Sequence, residues 1–135
     1  MRIIMYEMKK EYFTGIQLID DEHAKLFEYA NQIYDLLHDE FVADKYDNIR
    51  DVLAKLTDYA RKHFADEEAY MESIQYKKIF TQKIQHQAFM DELEKYDLDV
   101  IDQSDNKDKI ISDLLLFVTD WLVEHILNLD TQIGK

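Results

Sequence analysis

Two glycines and no proline among 135 residues leave this chain almost nothing with which to build tight turns or interrupt helices. An all-α fold follows. A chain of this length, with 47% hydrophobic residues, can bury one core but not two of ordinary size, so one domain spanning 1–135 is expected. The chain has no cysteine, which removes disulfides, thiolate nucleophiles and sulfur-ligated metals from consideration. Any metal must be held by nitrogen and oxygen. The formal charge of −13, with no basic stripe to offset it, argues against nucleic acid and against an anionic membrane surface. The opening "MRIIMYEMKK" is apolar over too short a stretch for a signal peptide or a membrane span, and a cytoplasmic protein is the expectation.

Residues 1–17 look like an N-terminal arm: Tyr6, Met8, Tyr12, Phe13 and Ile16 are apolar enough to dock, and Gly15 allows a bend. From about Ile19 to Leu37, Leu26, Phe27, Ala30, Ile33, Tyr34 and Leu37 recur at three and four places, the spacing of one helical face. Asp20 or Asp21 is placed to cap this helix. A second helix, about Asp47 to Met71, carries Ile49, Val52, Leu53, Leu56, Tyr59, Ala60, His63, Phe64 and Glu67 on its stripe. The third, about Lys77 to Leu98, carries Phe80, Ile84, Phe89, Met90 and Leu93. The fourth, about Lys107 to Leu129, runs from Ile110 through Trp121, Leu122 and Ile126. The linkers "HDEFVADKY", "SIQY" and "DVIDQSDN" are short, which favours an up-down-up-down antiparallel four-helix bundle.

Polar residues inside these apolar stripes carry the chemistry. His23 precedes Leu26 by three and Phe27 by four, so it points inward with them. His63 and Glu67 are four apart and stand one above the other; His86 lies beside Phe89 and Met90; His125 follows Trp121 by four. A lone inward histidine is more often a satisfied core residue than a ligand. Four of them, one per helix, with two carboxylates nearby, fit the facing-helix metal sites of bundles, and imidazole with carboxylate suits iron, zinc or manganese alike. Burying Glu67 and Asp130 with neither metal nor base would be costly, and bridging two dications removes that cost. Asp130 is the weakest member. It lies five residues after His125, about 140° around an α-helix, so a frayed helix end or a reaching side chain is needed. His38, one helix length beyond His23, is expected to cap a helix end and bind no metal, while Glu68 and Glu72 are expected to face solvent.

"IQLIDDEHAKLFEYANQIY", "YARKHFADEEAYM", "HQAF" and "WLVEHILNLDTQIG", in this order and spacing, resemble the signatures of the hemerythrins of the bacterial single-domain type. The resemblance implies a four-helix bundle holding two non-haem iron ions joined by an oxo or hydroxo group, which binds O₂ reversibly. It implies that His23 and His63 hold the iron that takes O₂, that His86 and His125 hold the other, and that Glu67 and Asp130 bridge them. It also implies that Trp121, Leu122 and Ile126 line an apolar O₂ pocket. One family position differs: the first histidine of the third helix's HxxxH pattern is Gln82, in "TQKIQHQ". Its amide oxygen could coordinate, or a water or carboxylate could complete the shell. The expected role is O₂ storage, delivery or scavenging by a binding protein, not an enzyme. The alternatives are a sensor of O₂, NO or redox state with an unnamed protein partner, and turnover of peroxide or NO at the incompletely ligated metal.

Overall fold

The computed structural model describes residues 6–39, 41, 43–96 and 105–135. Among these are four long helices and no strand: α1 Gln17–Leu37, α2 Lys45–Ser73, α3 Ile79–Glu94 and α4 Lys107–His125. A five-residue π-helical segment, Ile126–Asp130, and a last turn, Thr131–Ile133, extend α4. The predicted end of the third helix at Leu98, parts of the first and third linkers, and residues 1–5 of the arm lie outside the described residues.

Contacts between the helix ends define an antiparallel four-helix bundle. Lys45 at the start of α2 donates to the carbonyl of Leu37 at the end of α1, while Lys62 near the end of α2 pairs with Glu22 near the start of α1. Glu72 of α2 meets Lys83 of α3, and Lys78, just before α3, donates to Gln132 beyond α4. The start of α1, the end of α2, the start of α3 and the end of α4 therefore share one end of the bundle. α2 and α3 are joined by five residues, in which Gln75 adopts a left-handed conformation (φ 53°) and the Tyr76 amide donates to the Met71 carbonyl at 2.9 Å. Glycine usually fills such a C-terminal turn, and this chain has none to spare.

The core is split into two apolar layers. The larger contains Leu26, Leu56, Phe64, Phe89, Leu114, Leu122 and Ile126; the smaller, nearer the shared end, contains Ile19, Met71 and Ile133. The chain passes from one layer to the other through a polar residue: His23 follows Ile19, Glu67 precedes Met71, and Asp130 precedes Ile133. These three are 0% exposed. The interval between the layers is where the candidate site sits.

Three expectations are corrected. Phe80 and Ile84, expected on the buried stripe of the third helix, are 72% and 55% exposed. Gln82 and His86 occupy the inward face with Phe89 and Leu93, and a residue two away from an inward one faces roughly the opposite way. Secondly, neither Asp20 nor Asp21 caps α1, because the helix begins at Gln17, before either. Asp20 is buried and accepts hydrogen bonds from the Thr14 amide, the Thr14 hydroxyl and the Gly15 amide, at 2.8, 2.8 and 3.1 Å. It fastens the arm. Gly15 has φ 85°, the bend the sequence suggests. Thirdly, Glu68 is only partly exposed, and its carboxylate is turned toward His86. In the arm, Tyr12 is buried and Asn31 of α1 both accepts from the Tyr6 amide and donates to its carbonyl.

Candidate metal centre

Six side chains from the four helices and the π-helical segment converge between the two apolar layers. His23 comes from α1, His63 and Glu67 from α2, His86 from α3, and at the far end of the chain His125 closes α4 while Asp130 ends the π-helical segment that continues it. All six are at most 4% exposed. Two sets of ligand atoms lie within 4.8 Å of one another: those of His23, His63, Glu67 and Asp130, and those of Glu67, His86 and His125.

The carboxylate oxygens sort between these sets. Glu67 Oε2 lies 3.6 Å from His23 Nε2 and 3.3 Å from His63 Nε2, while its Oε1 lies 3.0 Å from His86 Nε2 and 3.9 Å from His125 Nε2. Asp130 repeats the division, with Oδ2 at 3.0 Å from His23 Nε2 and Oδ1 at 3.1 Å from His125 Nε2. Glu67 thus offers one oxygen to each pair of imidazoles, and Asp130 offers one to His23 and the other to His125. Two pairs of histidines and two shared carboxylates form a cradle for two cations, with four clustered ligand atoms on one side and three on the other.

The π-helical segment explains how Asp130 reaches this cradle. The Thr131 amide donates to the carbonyl of Ile126, five residues back, so this turn is wider than an α-helical one. Residues five apart then share a face, which α-helical geometry forbids. The chain end is neither frayed nor stretched: a single π-turn, a feature frequent at functional sites, aligns Asp130 with His125.

The imidazoles are held by acceptors that set their tautomers. His63 Nδ1 donates to Glu22 Oε1 at 3.0 Å, His86 Nδ1 to Glu68 Oε2 at 2.7 Å, and His125 Nδ1 to Gln85 Oε1 at 2.9 Å. A carboxylate or amide oxygen can only accept here, so in the neutral ring the proton is on Nδ1 and the Nε2 lone pair faces the cradle. His86 Nε2 and His125 Nε2 then confront one another at 3.2 Å. Two lone pairs at that distance repel unless positive charge lies between or beside them. The three acceptors follow a pattern: Glu22 adjoins His23 on α1, Glu68 adjoins Glu67 on α2, and Gln85 adjoins His86 on α3. Each helix orients the histidine of the next. His23 Nδ1 has no such partner. Sequence reasoning passed over Glu22 and Gln85 and assigned Glu68 to solvent; the available signal was their position beside an inward residue, about 100° round the helix and so aimed at a neighbouring helix.

Electrostatics show the same demand for cations. Burial disfavours a charged His63, yet Glu22 and Glu67 outweigh it and push the imidazole up to about 9. His125 is likewise pushed up to about 9, burial being overcome by Asp130 and Glu67. Burial would raise Glu67, but the surrounding imidazoles hold it well below the usual carboxylate range. Among the described residues, the buried side-chain nitrogens and oxygens without a well-aligned hydrogen bond are His23 Nδ1 and Nε2, Glu67 Oε2, Asp130 Oδ2 and Gln82 Oε1, even though His23 Nε2 and Asp130 Oδ2 stand 3.0 Å apart. Orphaned lone pairs on this donor set fit divalent cations.

Of the remaining expected residues, Gln82 and Trp121 touch the cradle. Gln82 is fully buried and its Nε2 donates to Asp130 Oδ1 at 3.0 Å. Trp121 stacks on the His125 ring, centroids 4.4 Å apart, and Phe64 stacks on His86 at 4.1 Å. Leu122 and Ile126 are buried in the larger apolar layer. An open cleft of about 500 Å³ between α2 and α3, lined by Arg61, Glu68, Lys83 and Gln87 among others, reaches His86 from outside. Glu72 is exposed, and His38 lies at the end of α1 with Nδ1 on the Tyr34 carbonyl, remote from the cradle as expected.

The chain is similar to known proteins. The family model of the hemerythrin HHE cation binding domain matches residues 14–134. A bacteriohemerythrin from Clostridium acetobutylicum is 46% identical over 128 residues, covering 95% of this chain and 98% of that protein. Bacteriohemerythrins from Pseudomonas paraeruginosa (32% over 117 residues, 87% of this chain and 71% of that one) and Methylococcus capsulatus (30% over 128 residues, 92% and 89%) are also similar. With the bundle, the buried histidine–carboxylate cradle and these likenesses together, the chain belongs to the hemerythrin family and is of the bacteriohemerythrin type.

Proposed function

We propose that the cradle holds two non-haem iron ions and that the protein binds O₂ reversibly, as a store, carrier or scavenger. His23 and His63 would hold one ion, His86 and His125 the other, with Glu67 and Asp130 bridging. The observation that carries this reading is the division of both carboxylates, one oxygen facing each histidine pair. A single cation would leave one oxygen of each carboxylate and two imidazoles unused.

When bound, the iron pair supplies the electrons that make O₂ uptake and release a reversible redox event. The chain's own residues do the rest. Glu22, Glu68 and Gln85 hold a ring proton of three imidazoles on Nδ1 and aim Nε2 inward. Phe64, Leu122 and Ile126 wall the cradle with buried apolar surface, which denies water and protons to whatever binds there. Among the described residues, the buried titratable groups near the site are all engaged in holding the cradle, leaving no separate acid–base pair aimed at a substrate.

The test is to load the full chain anaerobically with Fe²⁺, expose it to air, and then remove O₂ by sparging with argon. Visible charge-transfer bands that appear with O₂ and fade without it are expected. Two bound irons with no such bands would refute O₂ binding while leaving the metal site intact.

A further inference from the structure

We propose that the cation held by His86 and His125 keeps a coordination position open beside Gln82, so that the centre takes two small exchangeable anions, one on each cation. This inference rests on the di-cation reading above and deepens it.

The donors are uneven. Ligand atoms of His23, His63, Glu67 and Asp130 cluster at one position and those of His86, His125 and Glu67 at the other, where Asp130 Oδ1 lies 3.1 Å from His125 Nε2. A cation that prefers six donors finds four protein atoms at the first position and no more than four at the second. One bridging solvent oxygen shared by both still leaves at least one position on each. On the His86 side, the residue that could fill it is Gln82, one turn before His86 and 0% exposed.

Gln82 is committed elsewhere. Its Nε2 lies 3.0 Å from Asp130 Oδ1, a carboxylate oxygen that only an N–H can meet, since an amide oxygen at that distance would repel it. The amide is therefore pinned with its nitrogen, which has no lone pair to give, toward Asp130. The other amide atom, Oε1, is buried with no hydrogen-bond partner. A buried carbonyl in that state is costly, and a proton-bearing ligand or solvent in the adjoining position would satisfy it. Gln82 thus acts as a positioning residue for Asp130 and a neighbour to the ligand. The complete burial of its surroundings restricts that ligand to a few atoms.

Cobalt(II) accepts the same nitrogen and oxygen donors and reports its coordination in visible absorption. The full chain, loaded anaerobically with two Co²⁺, is titrated with azide, following absorption and heat. Two azides per chain are expected. Gln82→His should bind one, because the imidazole closes the position, and Gln82→Leu should still bind two. One azide in the unaltered chain overturns the proposal; if Gln82→Leu then binds two, Gln82 is itself a ligand. Two cobalts with one azide sink only this inference, whereas fewer than two cobalts in the unaltered chain sink the di-cation reading and this inference with it.

Discussion

Glu68 illustrates how much of the site depends on residues that touch no cation. Its carboxylate fixes the proton of His86 on Nδ1 from a partly exposed position, so Glu68→Ala should fold normally yet weaken cation binding by roughly 10–100-fold. Competition with a chelator measures this, and an unchanged affinity would deny Glu68 its orienting role. A pH dependence follows from His63 and His125. Both are raised from 6.5 to about 9 in the cation-free chain, so their protonation favours the folded state. That contribution is complete below about pH 6.5 and is lost as pH rises through about 9. The Tm of the cation-free protein should therefore fall across this window. Cations compete with the same protons, so their apparent affinity should rise over the same range. The inward histidines were legible because each shares a stripe with leucine or phenylalanine. Glu22, Glu68 and Gln85 were not, because a residue one step from the stripe looks like any other polar helix residue until the neighbouring helix is in place.

At the scale of elements, periodicity located the starts of all four helices and the ends of α1 and α2 within two residues, although the helix starting at Gln17 swallowed its supposed cap; it overran the end of α3 at Glu94 by four, and it carried α4 four residues past His125 into the π-helical segment. It misjudged α3, whose inward face carries Gln82 and His86 and whose outward face carries Phe80 and Ile84. Apolarity alone pointed the wrong way there because the site places polar residues inside. Phe80→Ser should accordingly shift stability by less than about 0.5 kcal/mol, whereas Phe89→Ala, which empties a 2% exposed position, should cost about 3–5 kcal/mol. Denaturant unfolding separates the two, and equal costs would contradict this assignment of inward and outward faces to α3. The π-turn is the other element the sequence hid, since α-helical arithmetic put Asp130 on the wrong side. Deleting Asn128 should convert the turn to α-helix and leave His125 and the carboxylate four apart, still on one face, so the helical circular dichroism and both cations should persist. Loss of a cation would show that the wide turn itself sets the position of the carboxylate.

The whole molecule is two apolar layers separated by a polar one, and the stability of the middle layer depends on what neutralises it. A cation bound only by the folded chain adds about 2.7 kcal/mol at a hundred times its Kd, which for a chain of this size raises Tm by roughly 10 °C. The end of the bundle is closed by a tight contact: a Cβ on Gly134 would meet the Thr14 carbonyl oxygen at 1.9 Å. Chain length, charge and the one-histidine-per-helix pattern made this architecture legible; the contact between Gly134 and Thr14 was not, since nothing local to either residue announces the other. The central claim is that two cations share Glu67 and Asp130 between four imidazoles. Its most direct test is the metal-to-chain ratio of the anaerobically purified full chain, taken beside that of Glu67→Ala. The account predicts two irons per chain, and at most one when Glu67 is removed; an intact bundle that holds no iron, or that keeps both irons without Glu67, would contradict it.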